Sequence, residues 1–139
     1  MTNEWKRTLA IFYCQNVPGS SNQDRQSLEK RYGSNIRLFP IACSGRLEPL
    51  HLLKALEEFA DAAYVVTCPV GTCKYFEGNK RALKRVERTK SLIQDIGLET
   101  ERLGIVMGKI GEMKSLADQT EEIMKQVAEL APSPVLKNN

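Results

Sequence analysis

The sequence predicts a small α/β fold, a mostly parallel sheet of about four strands with helices on both faces. Three observations predict it. Apolar runs of strand length occur at residues 9–13, 36–42, 62–67 and 103–107. Stretches with helical spacing or helix-start signals lie between them, which is the alternation of βαβ units. The length of 139 residues suits one domain with a core that needs no staple.

Each element has a local reason. Leu9-Ala10-Ile11-Phe12-Tyr13 reads as a buried strand ending at Cys14. Pro18-Gly19-Ser20-Ser21-Asn22 is a loop signal, and residues 23–32 read as a short, weakly apolar helix. Residues 36–42 form the second strand, ending at Cys43. Pro40 argues against a central place for it, because proline donates nothing to the ladder. Residues 47–60 have helical spacing, with Leu50, Leu53, Leu56 and Ala60 expected inward and Pro49 suited to the first turn. Residues 62–67 form the third strand, ending at Cys68, and a tight loop at 69–78 contains Cys73. A long amphipathic helix is expected from about 79 to 96, with Leu83, Val86, Ile93 and Ile96 inward and Gly97 stopping it. Residues 103–107 are the fourth strand. Residues 112–130 form the last helix, with Leu116, Ile123, Val127 and Leu130 apolar. The expected architecture is a single flavodoxin-like domain over 1–130 and a frayed tail at 131–139, where two prolines fall.

Composition narrows the function. No apolar run reaches the length of a membrane span, and the polar start at 1–7 does not open a secretory signal. A cytoplasmic protein with reduced cysteines is therefore expected. The net charge of +3 is a weak basic excess, and no nucleic acid partner is expected. The single histidine, His51, leaves no His-rich metal site, and a surface or helix-packing role suits it. No G-x-G-x-x-G follows a strand and no P-loop spacing occurs. Lys74 stands where a cysteine-phosphatase loop needs arginine. Met107 and Met113 read as core fillers.

The four cysteines are the chemical asset. Cys14, Cys43 and Cys68 each follow a strand directly, and Cys73 lies in the loop after the third. In an open parallel sheet the carboxyl ends share one edge, where ligand sites form, so the topology would gather all four on one rim. A single free cysteine is more often a small buried hydrophobe, but here every cysteine falls at the same kind of position. Four thiolates suit a tetrahedral zinc or an iron–sulfur cluster. Cys68 and Cys73 have four residues between them and the other two stand alone, so spacing does not choose. A dithiol redox pair of Cys68 and Cys73 is a third possibility. Charge leans toward a cluster: the helix opening at Asn79 would aim N–H groups at an anion, and Arg46, Lys74 and Lys80 would add positive charge. The run of Lys80, Arg81, Lys84, Arg85, Arg88 and Lys90 reads as a solvated face or a docking face for an acidic partner.

Cys43-Ser44-Gly45-Arg46-Leu47-Glu48-Pro49, together with Cys68-Pro69-Val70-Gly71-Thr72-Cys73-Lys74-Tyr75 and the following Gly78-Asn79, resembles the delta subunit family of methyl-viologen-reducing hydrogenase. The resemblance runs from the first strand through the last helix. It implies a small [2Fe–2S] electron carrier that is not itself catalytic. It also implies a permanent multi-subunit complex and an anaerobic or microaerobic metabolism.

The role implied by the family is electron transfer between larger subunits. One side is a donor oxidoreductase of hydrogenase or formate dehydrogenase type. The other is a set of heterodisulfide-reductase-like flavin and iron–sulfur subunits. The resemblance implies that Cys14, Cys43, Cys68 and Cys73 are the cluster ligands, with Ser44, Gly45, Arg46, Gly71, Tyr75, Gly78 and Asn79 around them. Where the family opens with a C-x-x-C pair, Cys14 is followed here by Gln15-Asn16-Val17. Four cysteines remain, the number such a cluster requires. The alternative is a zinc-bound or cluster-free scaffold in the same kind of complex.

Overall fold

The computed structural model describes residues 8–14, 17, 19–41, 49–67, 78–107, 115–128 and 130. Four strands, β1 (Leu9–Cys14), β2 (Ile36–Ile41), β3 (Ala62–Thr67) and β4 (Leu103–Met107), form one sheet in the order β2-β1-β3-β4. Every pairing is parallel, with Leu9 opposite Ile36 on one side and Ala62 on the other, and Ala63 opposite Leu103. Helices α1 (Asn22–Tyr32), α2 (Pro49–Glu58), α3 (Gly78–Asp95) and α4 (Leu116–Val127) connect or follow the strands. This is the α/β architecture the sequence predicts. Met113 and the tail at 131–139 lie outside the described residues.

The central strands read as continuous apolar runs because both of their faces are covered. All six residues of β1 and all six of β3 are buried. On one face Leu9, Ile11 and Tyr13 of β1 and Tyr64 and Val66 of β3 pack with Leu28 of α1 and Leu116, Ile123 and Val127 of α4. On the other, Ala10, Phe12, Ala63 and Val65 pack with Leu52, Ala55 and Leu56 of α2 and Val86 and Ile93 of α3. Strand β2 lies at the sheet's edge, and Pro40 is exposed there, as its missing donor requires.

Helix α1 buries only Leu28 and depends on its start signal more than on an apolar stripe. Ser21 Oγ accepts the Asp24 N–H at 3.1 Å, and Asp24 Oδ2 accepts the Ser21 N–H at 3.0 Å, a capping box. The bonds from Ser21 hold the Asp24 carboxyl below the usual carboxylate range. Glu29 also covers the edge of β2, where its Oε2 accepts the Leu38 N–H at 3.3 Å.

Two helix faces differ from expectation. Leu50 is 67% exposed and Leu53 half-buried, and Leu52 and Ala55 face the sheet beside Leu56. Leucine occurs on several sides of α2, so spacing alone leaves its rotation open, and the small Ala55 lets this side approach the strands. Ile96 is 68% exposed because the helix has ended before it. Gly97, at φ 91°, reverses the chain. Its N–H bonds to the Gln94 carbonyl at 3.1 Å, and the Leu98 N–H bonds to the Ile93 carbonyl at 3.0 Å, a Schellman closure. Leu98 is the residue buried after this turn.

The amino edge of the sheet is fastened by polar groups. Thr8 and Asp61 bond reciprocally, Thr8 N–H to Asp61 Oδ2 at 2.9 Å and Asp61 N–H to the Thr8 carbonyl at 2.8 Å. Arg102, fully buried just before β4, donates from Nη1 to the Asp61 carbonyl at 3.0 Å and from Nε to Glu99 Oε1 at 2.7 Å. The Tyr64 hydroxyl donates to the Glu101 carbonyl at 2.9 Å. The Tyr64 ring lies over Gly104, where a Cβ would collide with it.

Candidate metal centre

The carboxyl edge begins with Cys14, the last residue of β1, opposite Ile41 at the end of β2. Thr67 ends β3, opposite Met107 at the end of β4. Because all pairings are parallel, these ends share one side of the sheet. Helices α1 and α4 cover one face and α2 and α3 the other, so chain direction switches between β1 and β3. The crevice outside such a switch point is where open α/β sheets bind ligands. Cys14 and Thr67, both about 1% exposed, flank it.

Cys14 is a buried cysteine. Strict alternation would align it with Ala10 and Phe12, yet it belongs to the cluster on the α1 and α4 face, with Val17. The chain turns sharply there, and the Val17 N–H bonds to the Cys14 carbonyl at 3.0 Å. Ser20 Oγ then donates to the Val17 carbonyl at 2.6 Å. Gly19, at φ 68°, passes so close to α4 that a Cβ would stand 3.1 Å from Cβ of Ser115. Ser115 caps α4 by accepting the Asp118 N–H at 3.2 Å. Gly19 and the start of α4 are thereby close together at this rim. Sequence reasoning missed this contact, and the only signal for it was a glycine after Pro18.

The remaining expected ligands, Cys43, Cys68 and Cys73, lie outside the described residues, as do Ser44, Gly45, Arg46, Gly71, Lys74 and Tyr75. By sequence, Cys43 follows the end of β2 by two residues and Cys68 follows the end of β3 by one. Gly78 and Asn79 begin α3, so their backbone N–H groups belong to its first turn. Among the described residues no three His, Cys, Asp or Glu side chains form a metal-holding group. A donor set of four thiols is soft and matches iron–sulfur or zinc chemistry. His51 is exposed and stacks on Phe12 with ring centroids 6.4 Å apart.

Two buried polar side chains of α4 also escaped the sequence reasoning. Gln119 and Thr120 lie on its buried side with Leu116 and Ile123, and Gln119 Oε1 and Thr120 Oγ1 have no hydrogen-bond partner among the described residues. Their helical spacing from Leu116 was the available signal. Burial pushes the Tyr13 hydroxyl above its ordinary value, with Arg25 opposing and Glu29 adding, so it stays protonated near neutral pH. A cavity of about 380 Å³ lined by Tyr64, Glu101, Gly104 and Gln126 lies along β4, away from Cys14.

Among the described residues no helix is long and apolar enough to cross a membrane. Residues 9–131 match the family model for the methyl-viologen-reducing hydrogenase delta subunit. The chain is 29% identical over 132 residues to an iron-sulfur subunit of the F420-non-reducing hydrogenase of Archaeoglobus profundus, covering 95% of this chain and 96% of that one. It is 30% identical over 102 residues to the vhu iron-sulfur subunit of the F420-non-reducing hydrogenase of Methanopyrus kandleri, covering 73% and 77%. It is also 34% identical over 101 residues to one subunit of the ferredoxin:CoB-CoM heterodisulfide reductase of Methanosarcina mazei, covering 73% of this chain but 13% of that much longer one. The chain belongs to the methyl-viologen-reducing hydrogenase delta subunit family.

Proposed function

We propose that this chain is a non-catalytic electron-transfer subunit in which Cys14, Cys43, Cys68 and Cys73 hold a [2Fe–2S] cluster at the carboxyl edge of the sheet. The observation that carries the reading is the position of Cys14. It is a buried cysteine at the switch point, beside the strand ends that lead in sequence to Cys43 and Cys68. The relatives named as hydrogenase iron-sulfur subunits support the cofactor class. When bound, such a cluster supplies a one-electron carrier.

The chain's own residues bind and tune. Four thiolates supply the ligands. Ser44, Gly45 and Gly71 are small enough for backbone N–H groups to approach sulfur, and Arg46 offsets negative charge. Tyr75 and the first turn of α3 at Gly78 and Asn79 would complete the surroundings, the helix N-terminus favouring an anion. The burial of Cys14 keeps water from its sulfur. Electrons would pass, in the cytoplasm, from a hydrogenase or formate dehydrogenase type donor to heterodisulfide-reductase-like flavin and iron–sulfur subunits. The relative that carries a similar segment within a heterodisulfide reductase supports that acceptor.

Iron, sulfide and zinc content of protein purified without oxygen, with an absorption spectrum, tests the reading. About two irons and two sulfides per chain are expected. One zinc without iron would make the site structural, and folded protein without metal would leave a scaffold. The Cys73→Ser variant should lose the visible absorption and the electron paramagnetic resonance signal, and their persistence would remove Cys73 from the ligand set.

A further inference from the structure

We propose that the outer face of α3 is a docking surface for a partner protein that presents acidic side chains beside an apolar patch. Helix α3 has six basic residues against Glu87 and Asp95, four net positive charges in a chain whose total is +3, so the rest of the molecule is slightly acidic. The described part of its exposed face is ordered. Lys84, Arg88, Leu92 and Ile96 follow one another at intervals of four, and all four are exposed. Residues four apart share one helix face, so Lys84, Arg88 and Leu92 form a ridge about 12 Å long at the α-helical rise, and Ile96 extends it from the first residue past the helix end. Its first half is cationic and its second half aliphatic.

The usual explanation of a basic helix is a solvated face, and two observations oppose it. Leu92 and Ile96, at 46% and 68% exposure, are two of the three large hydrophobic residues exposed among the described residues. Contact with water is unfavourable for both, and together they continue the charged ridge instead of lying scattered. Neither Lys84 nor Arg88 has an ion pair among the described residues, while neighbouring Glu87 is engaged by Lys90 at 3.7 Å. Cations beside an aliphatic patch match an interface with an apolar centre and a charged rim that steers encounter. Two aliphatic side chains are too little apolar area for a membrane surface. A nucleic acid would call for aromatic residues among the cations, and this ridge has none.

The choice of partner rests on the electron-transfer reading, and the test separates the two. The full chain is purified from its host without oxygen, together with its complex subunits, which are identified by mass spectrometry. Hydrogen exchange over residues 84–96 is compared between the complex and the separated chain. Exchange at least tenfold slower in the complex is expected. The double variants Lys84→Glu with Arg88→Glu, and Leu92→Ser with Ile96→Ser, should each recover less than a tenth of the complex while keeping melting temperature and metal content. Wild-type association should weaken as salt rises. Unchanged exchange, or normal assembly of both variants, would overturn the proposal. So would binding of the separated chain to phosphatidylglycerol vesicles or to RNA that the charge variant abolishes while the complex forms normally. Protection of α3 in a chain without iron would leave docking standing and remove the electron-transfer reading, and iron without protection would do the reverse.

Discussion

The two ends of the sheet are built from opposite chemistry. At the amino edge every principal polar group is engaged: Thr8 with Asp61, Arg102 with Asp61 and Glu99, and Tyr64 with Glu101. At the carboxyl edge β1 ends in a buried thiol, and the neighbouring strands lead in sequence to further cysteines. Paired polar groups fix strand register and give stability, whereas a concentration of thiols at a switch point offers ligands. On the proposed reading, stability and chemistry fall at opposite ends of the same strands, so each should change with little effect on the other.

Substitutions at the two ends should therefore separate metal content from stability. The largest effect is expected from Cys14→Ala, which should abolish the iron–sulfur absorption while lowering the stability of the metal-free fold by only about 1 kcal/mol. Absorption and circular dichroism measured on the same sample check both halves. Retention of full iron content would remove Cys14 from the site and with it the division of labour between the two edges.

Arg102→Ala should do the converse. It deletes a large, fully buried side chain and leaves the Asp61 carbonyl without this donor, at a cost of about 2–4 kcal/mol in chemical denaturation. Iron per folded chain should not change. A loss of iron at full stability would show that the two ends are coupled.

Gly104→Ala probes the amino end more finely. Its Cβ would meet the Tyr64 ring, so the ring or β4 must shift, at about 1–3 kcal/mol. Gly33→Ala makes a useful control, since there the penalty comes from the positive φ of 64° and not from a neighbour. No cost at Gly104, beside the expected cost at Gly33, would show that the Tyr64 contact adds nothing.

The smallest effect concerns pH. The hydrogen bond from Arg102 holds the Glu99 carboxyl below the ordinary glutamate value of 4.5. A depressed folded-state value means that Glu99 contributes its stability above about pH 4.5 and loses it as pH falls through the depressed value. Glu99 is about half exposed, and solvent screening keeps the contribution under about 1 kcal/mol. Glu99→Gln should flatten that part of the stability-against-pH curve, and an unchanged curve would assign the acid dependence elsewhere.

Much of the fold was legible because strong local signals agreed with burial. The 62–67 and 103–107 runs became β3 and β4 without a shift at either end, since an apolar strand between polar stretches has one way to satisfy its faces. Pro40 foretold an edge position, because a missing donor is tolerated only where no neighbour needs it. Helix rotation was less legible. Leu50 and Ile96 are apolar at helical spacing, yet one lies on the far side of α2 and the other beyond the end of α3. Of the candidate site, the order of strands followed by cysteines was plain in the sequence, whereas the turn that takes Cys14 into the α1 and α4 cluster was not.

By itself the sequence determined the alternation of strands and helices, the placement of each cysteine after a strand, and the excess positive charge of α3. These depend on residues close together in the chain, where local propensity and periodicity act. Only the tertiary structure decided that β1 and β3 are central, that Arg102 is buried against Asp61, and that Lys84, Arg88, Leu92 and Ile96 share one open ridge. Such features depend on which distant segments meet, and contacts between segments dozens of residues apart are chosen by how the whole core packs.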